Sequence, residues 1–471
     1  MAAILTDRFR VVLAENFRTR IAIGENPTLN AAGVPPVELW LFFAKSEEWA
    51  TGVPTAPVDN QESAYEIYDQ IIGLKRISSS DIRGVIRNNK WQSGTIYDIY
   101  RDDYGKVRST VGSVINYVQG LSFENHLYET NYYVVTSEYK VYKCIGNNSN
   151  NASTIEPSST TSAPFTLADG YVWKYMYSIN ANDFEKFKSD EYVPVPESTS
   201  IDANNVLPPA SNFGGAIYNV LIDAPGTGYL SNQEFDIVGD GENGRVRVIS
   251  TDAAGGITSI KVVNPGSGYT YAQINADGGT SAVLNPIITP KEGVGQYINL
   301  ELGSYRLALH AKLEKDDFIF GNDFSVVGIL YNPTITAAGD IAIGTKQMVI
   351  NAPLVNAAET YNDVQIISNN GASGRIVHYE ADNVNLVYTI YYTQENIQGY
   401  GIDSSGVRTE FQPGDVVTIG GTEQATIASG NTSVKQSELK RGSGEIIYID
   451  NRNTISRAED QTEDFKIIVE F

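Results

Sequence analysis

The sequence is poor in the residue types that build most catalytic and metal sites. Its 471 residues include one cysteine, Cys144, and three histidines, His126, His310 and His378. One cysteine excludes an internal disulfide, so stability must come from packing and assembly. Cys144 lies in an alternating, strand-like stretch, which favours a buried structural thiol over a catalytic one. None of the histidines has a second His or Cys at ligand spacing, so neither a zinc site nor a histidine-based triad is predicted.

Positive charge is also scarce, with 34 Lys and Arg against 56 Asp and Glu and a net charge of −22. Nucleic-acid binding is not expected, because backbone contacts need clustered Lys and Arg. Acidity alone is typical of a well-solvated surface. The N-terminus carries charge where a signal peptide needs an apolar core, and no run of about 18 apolar residues occurs. We therefore expect a protein that is made and used in soluble form, with no membrane span.

Catalytic motifs are missing as well, since no P-loop, Gly-x-Ser-x-Gly or His-Glu-x-x-His occurs. Gly239-Asp-Gly-Glu-Asn-Gly244 matches the dinucleotide pattern, but the next residues alternate like a strand, which favours a hairpin turn. It also lacks the acids of a calcium loop. The acidic pairs Asp102/Asp103 and Asp316/Asp317 are more typical of solvated loops than of a glycosidase dyad. We therefore expect no enzyme activity and no cofactor, and assign no catalytic, metal-binding or partner-binding residue.

Tyr, Gly, Val, Ile and Thr are abundant, which favours strands and turns over helices. Val37-Glu-Leu-Trp-Leu-Phe-Phe-Ala predicts a strand covered on both faces. Residues 60–72 predict an amphipathic helix capped by Asn60 and ended by Gly73. Residues 4–23 predict a strand passing into a short helix that ends at Gly24, and residues 27–36 a loop. A helix beside a buried strand implies an α/β layer.

The middle of the chain alternates from residue 90 to 142, which predicts an antiparallel β module. Further on, four aromatic residues share one predicted strand face: Tyr171, Trp173, Tyr175 and Tyr177. Such a row is most often a packed sheet face, and less often a platform for a partner or a sugar.

A repeat follows, because Ala224-Pro-Gly-Thr-Gly-Tyr229 recurs forty residues later as Asn264-Pro-Gly-Ser-Gly-Tyr269. Each copy is preceded by a strand pattern and followed by another strand and a Gly-rich turn. Two β-hairpin units are therefore predicted, and together they form an inserted module. Two copies cannot close a propeller.

The last stretch contains two strand patterns, one around residues 446–451 and one in which Phe465, Ile467, Val469 and Phe471 alternate with other residues. A strand at the chain end is tied into a sheet, so the C-terminus closes a domain begun by early segments. The predicted class is α+β and mostly β. An α/β layer is built from both chain ends, with antiparallel β domains and two β-rich insertions. The predicted domains are a discontinuous α/β core (1–90, 293–344 and 437–471), an antiparallel β domain (91–210), the repeat module (211–292) and a second β-rich insertion (345–436).

Five stretches, in order, resemble one known family, the baseplate wedge subunit (gene product eight) of T4-like contractile-tailed bacteriophages. They are Phe17-Arg-Thr, Ser46-Glu-Glu-Trp49, Asp169-Gly-Tyr-Val-Trp-Lys-Tyr175, Ile329-Leu-Tyr-Asn-Pro333, and a C-terminal end with Glu445-Ile-Ile-Tyr-Ile-Asp-Asn-Arg452 and Asp460-Gln-Thr-Glu463. The resemblance covers roughly half the chain. The repeat module and residues 345–436 have no counterpart in it.

The resemblance implies a non-enzymatic structural subunit of the virion tail baseplate, assembled in the host cytoplasm. The implied partners are a second copy, in a homodimer, and other wedge proteins. The implied role is a scaffold that links these proteins during tail assembly and contraction. The alternative is a carbohydrate-binding adhesin or tail-fibre module, which the tyrosine content and the Gly-rich repeats allow.

Overall fold

The structure is a computed structural model that describes residues 5–26, 37–101, 106–111, 114–119, 127–197, 214–290, 293–314, 317–318, 323–395, 409–457 and 461–471. The helices are α1 Asp7–Glu25, α2 Gln61–Gln70, α3 Ala181–Phe187 and α4 Ile298–Leu302. The strands are β1 Leu39–Ala44, β2 Ile71–Ile77, β3 Ile82–Arg87, β4 Lys106–Val111, β5 Val114–Gln119, β6 Tyr133–Val135, β7 Lys140–Asn147, β8 Phe165–Thr166, β9 Tyr171–Ser178, β10 Tyr192–Pro194, β11 Ile217–Thr227, β12 Glu234–Gly239, β13 Glu242–Thr251, β14 Ile257–Ser267, β15 Ala272–Ile274, β16 Thr280–Ile288, β17 Arg306–Leu313, β18 Phe324–Tyr331, β19 Ile341–Ile343, β20 Lys346–Ile350, β21 Gln365–Ser368, β22 Ser373–Asp382, β23 Val387–Gln394, β24 Val416–Ile419, β25 Glu423–Thr426, β26 Val434–Lys435, β27 Glu445–Ile455 and β28 Glu463–Glu470. Strands outnumber helices throughout, so the predicted mostly-β α+β class is confirmed.

The N-terminal segment differs from the prediction, because α1 is one continuous helix and Gly24 lies inside it. Val11, Ala14 and Ile21 are buried at spacings of three and seven, as expected for one face of a helix. The apolar positions of this segment were compatible with an initial strand, but their burial along one helix face shows a helix from Asp7 onward. The predicted loop at residues 27–36 lies outside the described residues.

The chain divides into two compact units. Unit 1 comprises Met1–Phe17, Arg83–Ala308 and Ile468–Phe471, and unit 2 comprises Arg18–Ile82 and Leu309–Ile467. The four-part division expected from the sequence stays a prediction.

A five-stranded sheet in unit 2 has the order β19-β2-β1-β18-β27, with antiparallel pairing throughout. All six residues of β1 are buried, so the predicted covered strand is confirmed. Helix α2 packs on this sheet through Tyr68, with Tyr65 and Ile67 partly buried beside it. The penultimate strand β27 joins this sheet, so an early and a late segment share one core, as predicted.

Helix α2 starts as predicted, with the Asn60 side chain accepting a hydrogen bond from the Ser63 N–H at 2.8 Å. It ends at Gln70 rather than at Gly73, because β2 begins at the next residue. Gly73 lies inside that strand, where an added Cβ would stand 2.3 Å from the Phe318 ring. The glycine is therefore required by packing and does not end the helix.

A second sheet in unit 2 has seven antiparallel strands in the order β25-β24-β21-β22-β23-β20-β26. It encloses a core of its own, which includes Tyr361, Tyr379, Tyr392, Phe411 and Val417. This sheet is thus an independently packed layer between residues 346 and 435.

A four-stranded sheet in unit 1, with the order β6-β7-β9-β8, carries the aromatic row. Val141 pairs with Tyr177 and Tyr142 pairs with Tyr175, so Met176 is an extra residue in a β-bulge. The bulge shifts Tyr177 into a different core cluster from Tyr171 and Trp173. The prediction that all four aromatics share one face is therefore wrong.

The repeat module, residues 214–290, also differs from two separate hairpins. The first strand of each repeat pairs with the third strand of the other repeat: β11 with β16, and β14 with β13. The tyrosines that end the two motifs, Tyr229 and Tyr269, are both buried, and each forms hydrogen bonds with the other repeat. Tyr269 bonds to Ile237 and Gly244 of the first repeat, while Tyr229 bonds to Ala276 and Ala282 of the second. The module is an exchanged pair of repeats around one core.

The final strand, β28, lies in a four-stranded sheet with the order β10-β3-β17-β28. Its Phe465 and Ile467 are buried while Asp464 and Lys466 are exposed, which confirms the predicted alternation. The two C-terminal strands, β27 and β28, nevertheless belong to different sheets. The C-terminal segment therefore contributes to two sheets.

Candidate functional site

The histidines do not form a common site in the described part of the chain. His310 on β17 has its Nε2 2.8 Å from an Asp464 oxygen and its Nδ1 3.9 Å from an Asp81 oxygen. His378 on β22 packs against the Tyr391 ring, and His126 lies outside the described residues. Among the described residues, no group of three or more His, Cys, Asp or Glu is placed to hold a metal ion.

Cys144 is fully buried on β7, as the sequence predicts. Burial raises the pKa of its thiol well above the usual value. Because the thiolate is the reactive form of cysteine, burial disfavours a catalytic role for Cys144.

The Gly239–Gly244 stretch is the predicted hairpin turn, since it joins β12 to the antiparallel β13. Asp240 in the turn accepts hydrogen bonds from the N–H groups of Thr270 and Tyr271 and from the Thr270 hydroxyl. The Thr270 hydrogen bonds lower the pKa of Asp240 to about 2. The carboxylate therefore braces the turn through contacts within the module.

The acidic pairs do not gain a catalytic geometry from the described residues. Asp102, Asp103 and Asp316 lie outside them. Asp317 forms an ion pair with Lys75 at 2.6 Å and accepts a hydrogen bond from the Glu314 N–H. Its position is explained by these two contacts.

Two residues of the aromatic row, Tyr171 and Trp173, are not accessible to a ligand. Tyr171 and Trp173 are 0% exposed and their rings stack at 5.5 Å. Tyr97 packs edge-on against Trp173 at 5.7 Å. Tyr171 and Trp173 are therefore packed core residues, and the alternative of a sugar platform has no support at these two side chains.

One buried charge pair was not anticipated from the sequence. Lys143 on β7 and Glu301 on α4 form an ion pair with both side chains at 1% exposure or less. Glu301 also accepts hydrogen bonds from the N–H groups of Gly295 and Gln296. A buried pair with such satisfied oxygens fixes the position of α4 in unit 1, at little net gain in stability. Alternation within β7 could not reveal it, because the partner is 158 residues away.

Helix α2 is held to the C-terminal part of the chain by a second charge pair. Arg441 donates two parallel hydrogen bonds to the Asp69 carboxylate, at 2.7 and 2.9 Å. The Tyr68 hydroxyl donates to the Ser443 carbonyl at 2.7 Å. Burial, with a smaller effect of the nearby Glu445 charge, raises the pKa of Tyr68 to about 12. These contacts join residues more than 370 positions apart in sequence.

A groove runs between the start of α2 and strand β27, and we call it the α2–β27 groove. It encloses about 410 Å³. Its lining residues are Val58, Asp59, Asn60, Gln61, Ala64, Tyr65, Tyr68, Gly442, Gly444, Glu445, Ile446 and Ile449.

Strand β27 contains a bulge beside the groove. Leu330 pairs with Ile446 and Ile329 with Tyr448, so Ile447 is an extra residue in the strand. This bulge places Ile446 and Ile449 on the face that α2 packs against.

A smaller cavity of about 200 Å³ lies on the other side of Tyr68 and Asp69. Four of its charged lining residues form two ion pairs, Lys346 with Glu410 and Arg441 with Asp69. Among the described residues, no such pair involves the carboxylates that line the α2–β27 groove, Asp59 and Glu445.

Part of the groove lies in the segment of the chain that matches a known protein family. Residues 412–471 match the family model Phage-Gp8, described as Bacteriophage T4, Gp8. The resemblance noted in the sequence is thus confirmed over this C-terminal part, and Phage-Gp8 supports a structural role in the phage baseplate wedge. The match starts inside residues 345–436, so the expectation that this whole stretch has no family counterpart is wrong for residues 412–436.

No curated protein matches the chain. Among the described helices, none has both the length and the apolar character needed to cross a membrane. The similarity to Phage-Gp8 over residues 412–471 implies a location in the virion tail and an association with other baseplate proteins.

Proposed function

We propose that this protein is a dimeric scaffold of the baseplate wedge, which links other wedge proteins while a contractile tail assembles and contracts. The observation that carries the proposal is the Phage-Gp8 match at residues 412–471. The homodimer, the linking role and assembly in the host cytoplasm go beyond that match and belong to the proposal.

The position of the matched residues in the fold supports this function. They supply β27 to the five-stranded sheet, and Arg441 and Ser443 hold α2 through long-range bonds. In addition, the Trp49 indole donates to the Arg452 carbonyl at 2.7 Å. Residues 412–467 of the match are thus built into unit 2, which also contains α2 and Trp49.

The test is assembly of the full chain with the other wedge proteins of the same phage. Light scattering on the purified chain is expected to give twice the mass of one chain. Mixing with the other wedge proteins is expected to give a larger complex that co-elutes. A chain that stays monomeric and joins no wedge protein would contradict the proposal.

A further inference from the structure

We propose that the α2–β27 groove binds a segment of another protein that carries an apolar side chain flanked by Lys or Arg. The proposal rests on the scaffold function and names one surface through which the scaffold grips a partner.

The floor of the groove is apolar and partly exposed. Ile446 and Ile449 rise from β27, and Ala64 and Tyr65 face them from α2. Val58, at the rim, is 54% exposed. Ligand pockets in proteins enclose about 300–1,000 Å³, so about 410 Å³ accommodates the side chains of a docking segment.

The rim is negative. Asp59 and Glu445 line the groove, and neither has an ion-pair partner among the described residues. Glu62 adds a third carboxylate in the first turn of α2. The helix N-terminus supplies roughly half a positive charge, which is too little to balance three carboxylates. A positively charged partner segment therefore gains from both attraction and faster encounter.

The Arg441 guanidinium does not cancel this charge. It lies 4.5 Å from the centre of the Tyr65 ring, and its Nε and Nη2 atoms both donate hydrogen bonds to Asp69. Its charge is matched by a carboxylate that lies outside the groove lining. The apolar floor and the two open carboxylates thus act together on an incoming segment.

Two observations favour a different protein over a second copy as the occupant. The chain carries a net charge of −22, so two copies repel each other at an acidic surface. Five of the lining residues, Gly442, Gly444, Glu445, Ile446 and Ile449, fall within the Phage-Gp8 match. The β27 side of the groove thus lies in the segment that matches the baseplate family model.

The experiment measures binding of a fluorescent twelve-residue peptide of alternating Lys and Leu to the full chain by anisotropy. The double variant Asp59→Lys with Glu445→Lys is expected to weaken binding at least tenfold. The control Glu191→Lys with Glu359→Lys makes the same net-charge change at exposed positions elsewhere, and is expected to stay within twofold of the unchanged chain. Thermal unfolding of each variant verifies that the fold is kept.

The apolar contribution is tested with Val58→Ser, which is expected to weaken peptide binding about threefold or more. Its control, Val384→Ser, changes a 91% exposed valine outside the groove and is expected to have no effect. Equal losses in groove and control variants, or no binding of the peptide to the unchanged chain, would overturn the proposal.

Light scattering tests whether the groove binds a second copy of the chain. If Asp59→Lys with Glu445→Lys turns a dimer into a monomer, the groove binds a second copy and the proposal is overturned. If the chain joins the wedge assembly but does not bind the peptide, only the proposed groove is contradicted. If the chain binds the peptide but joins no wedge assembly, the scaffold function is contradicted.

Discussion

The repeat module and the α/β core of unit 2 differ in how far apart in sequence their contacting residues lie. In the module, every bond that locks a motif tyrosine stays within residues 214–290. In the core, Asp69 and Arg441 meet across 372 sequence positions, and Trp49 and Arg452 across 403. The motif tyrosines are therefore locked within the module, and Leu221 packs outside it, against the core of the β6-β7-β9-β8 sheet. The core needs both halves of the chain, so it is the part in which distant changes should interact.

The largest expected effect comes from dividing the module. Residues 214–253 alone are expected to be unfolded, because β11 pairs with β16 of the second repeat and the Tyr229 hydroxyl donates to the Ala276 carbonyl of the second repeat. Residues 214–290 are expected to unfold cooperatively as a monomer. Circular dichroism during thermal unfolding distinguishes the two, and a monomeric, cooperatively folded single repeat would refute the exchanged pairing.

In the core, Asp69→Asn is expected to lower the free energy of unfolding by about 2–3 kcal/mol. Breaking a buried pair costs about 3–5 kcal/mol, and the partial exposure of Arg441 reduces that cost. Denaturant unfolding measures it. Glu66→Gln, on the exposed side of the same helix, is the matched control, and an equal loss there would show that the pair contributes little.

In the module, Tyr269→Phe is expected to cost about 1–2 kcal/mol, because it leaves the Gly244 N–H and the Ile237 carbonyl without a partner. Tyr229→Phe should cost less, since its two bonds are 3.2 and 3.4 Å rather than 3.1 and 3.0 Å. Tyr271→Phe changes a 62% exposed tyrosine and serves as control. Thermal unfolding of the three variants gives the order, and a reversed order would show that the two repeats are locked differently.

The smallest expected effect is a pH-dependent one in unit 2. Burial raises the pKa of Asp363 above 3.8, with the Asp323 and Glu47 charges adding to it. The folded state is therefore penalised as pH rises through this raised pKa, and the penalty is absent well below pH 3.8. Asp363→Asn should be more stable than the unchanged chain at pH 7, with the advantage shrinking on acidification. Unfolding curves from pH 3 to 7 test this, and an advantage that grows at low pH would contradict it.

Local patterns predicted local features well. The all-apolar run at 37–44, the Asn60 cap and the turn at Gly239–Gly244 each depend on neighbours within a few residues, and each was found. The motif tyrosines were recognised as a repeat, but the exchange of strands between repeats has no local signature. The same holds for the bulge at Met176, since one extra residue moves Tyr177 to another face.

The candidate site was less accessible to sequence reasoning. Its walls come from residues 58–68 and 442–449, and the bulge at Ile447 sets which isoleucines face α2. Asp59 and Glu445 are unremarkable acids in an acidic chain. Asp59 precedes α2 and Glu445 begins β27, so only the packing of α2 beside β27 brings them to one rim. The family resemblance pointed to this region without naming its surface.

The pairing of Ile217 with Ile288 has a practical consequence for building new versions of this protein. It places the first and last strands of the module side by side, and the Thr289 N–H bonds to the Ala216 carbonyl at 3.0 Å. Paired antiparallel residues have Cα atoms about 5 Å apart, so a two-residue turn bridges the gap. The position is thus a natural graft point, at which a foreign domain with neighbouring ends can be exchanged for the native one.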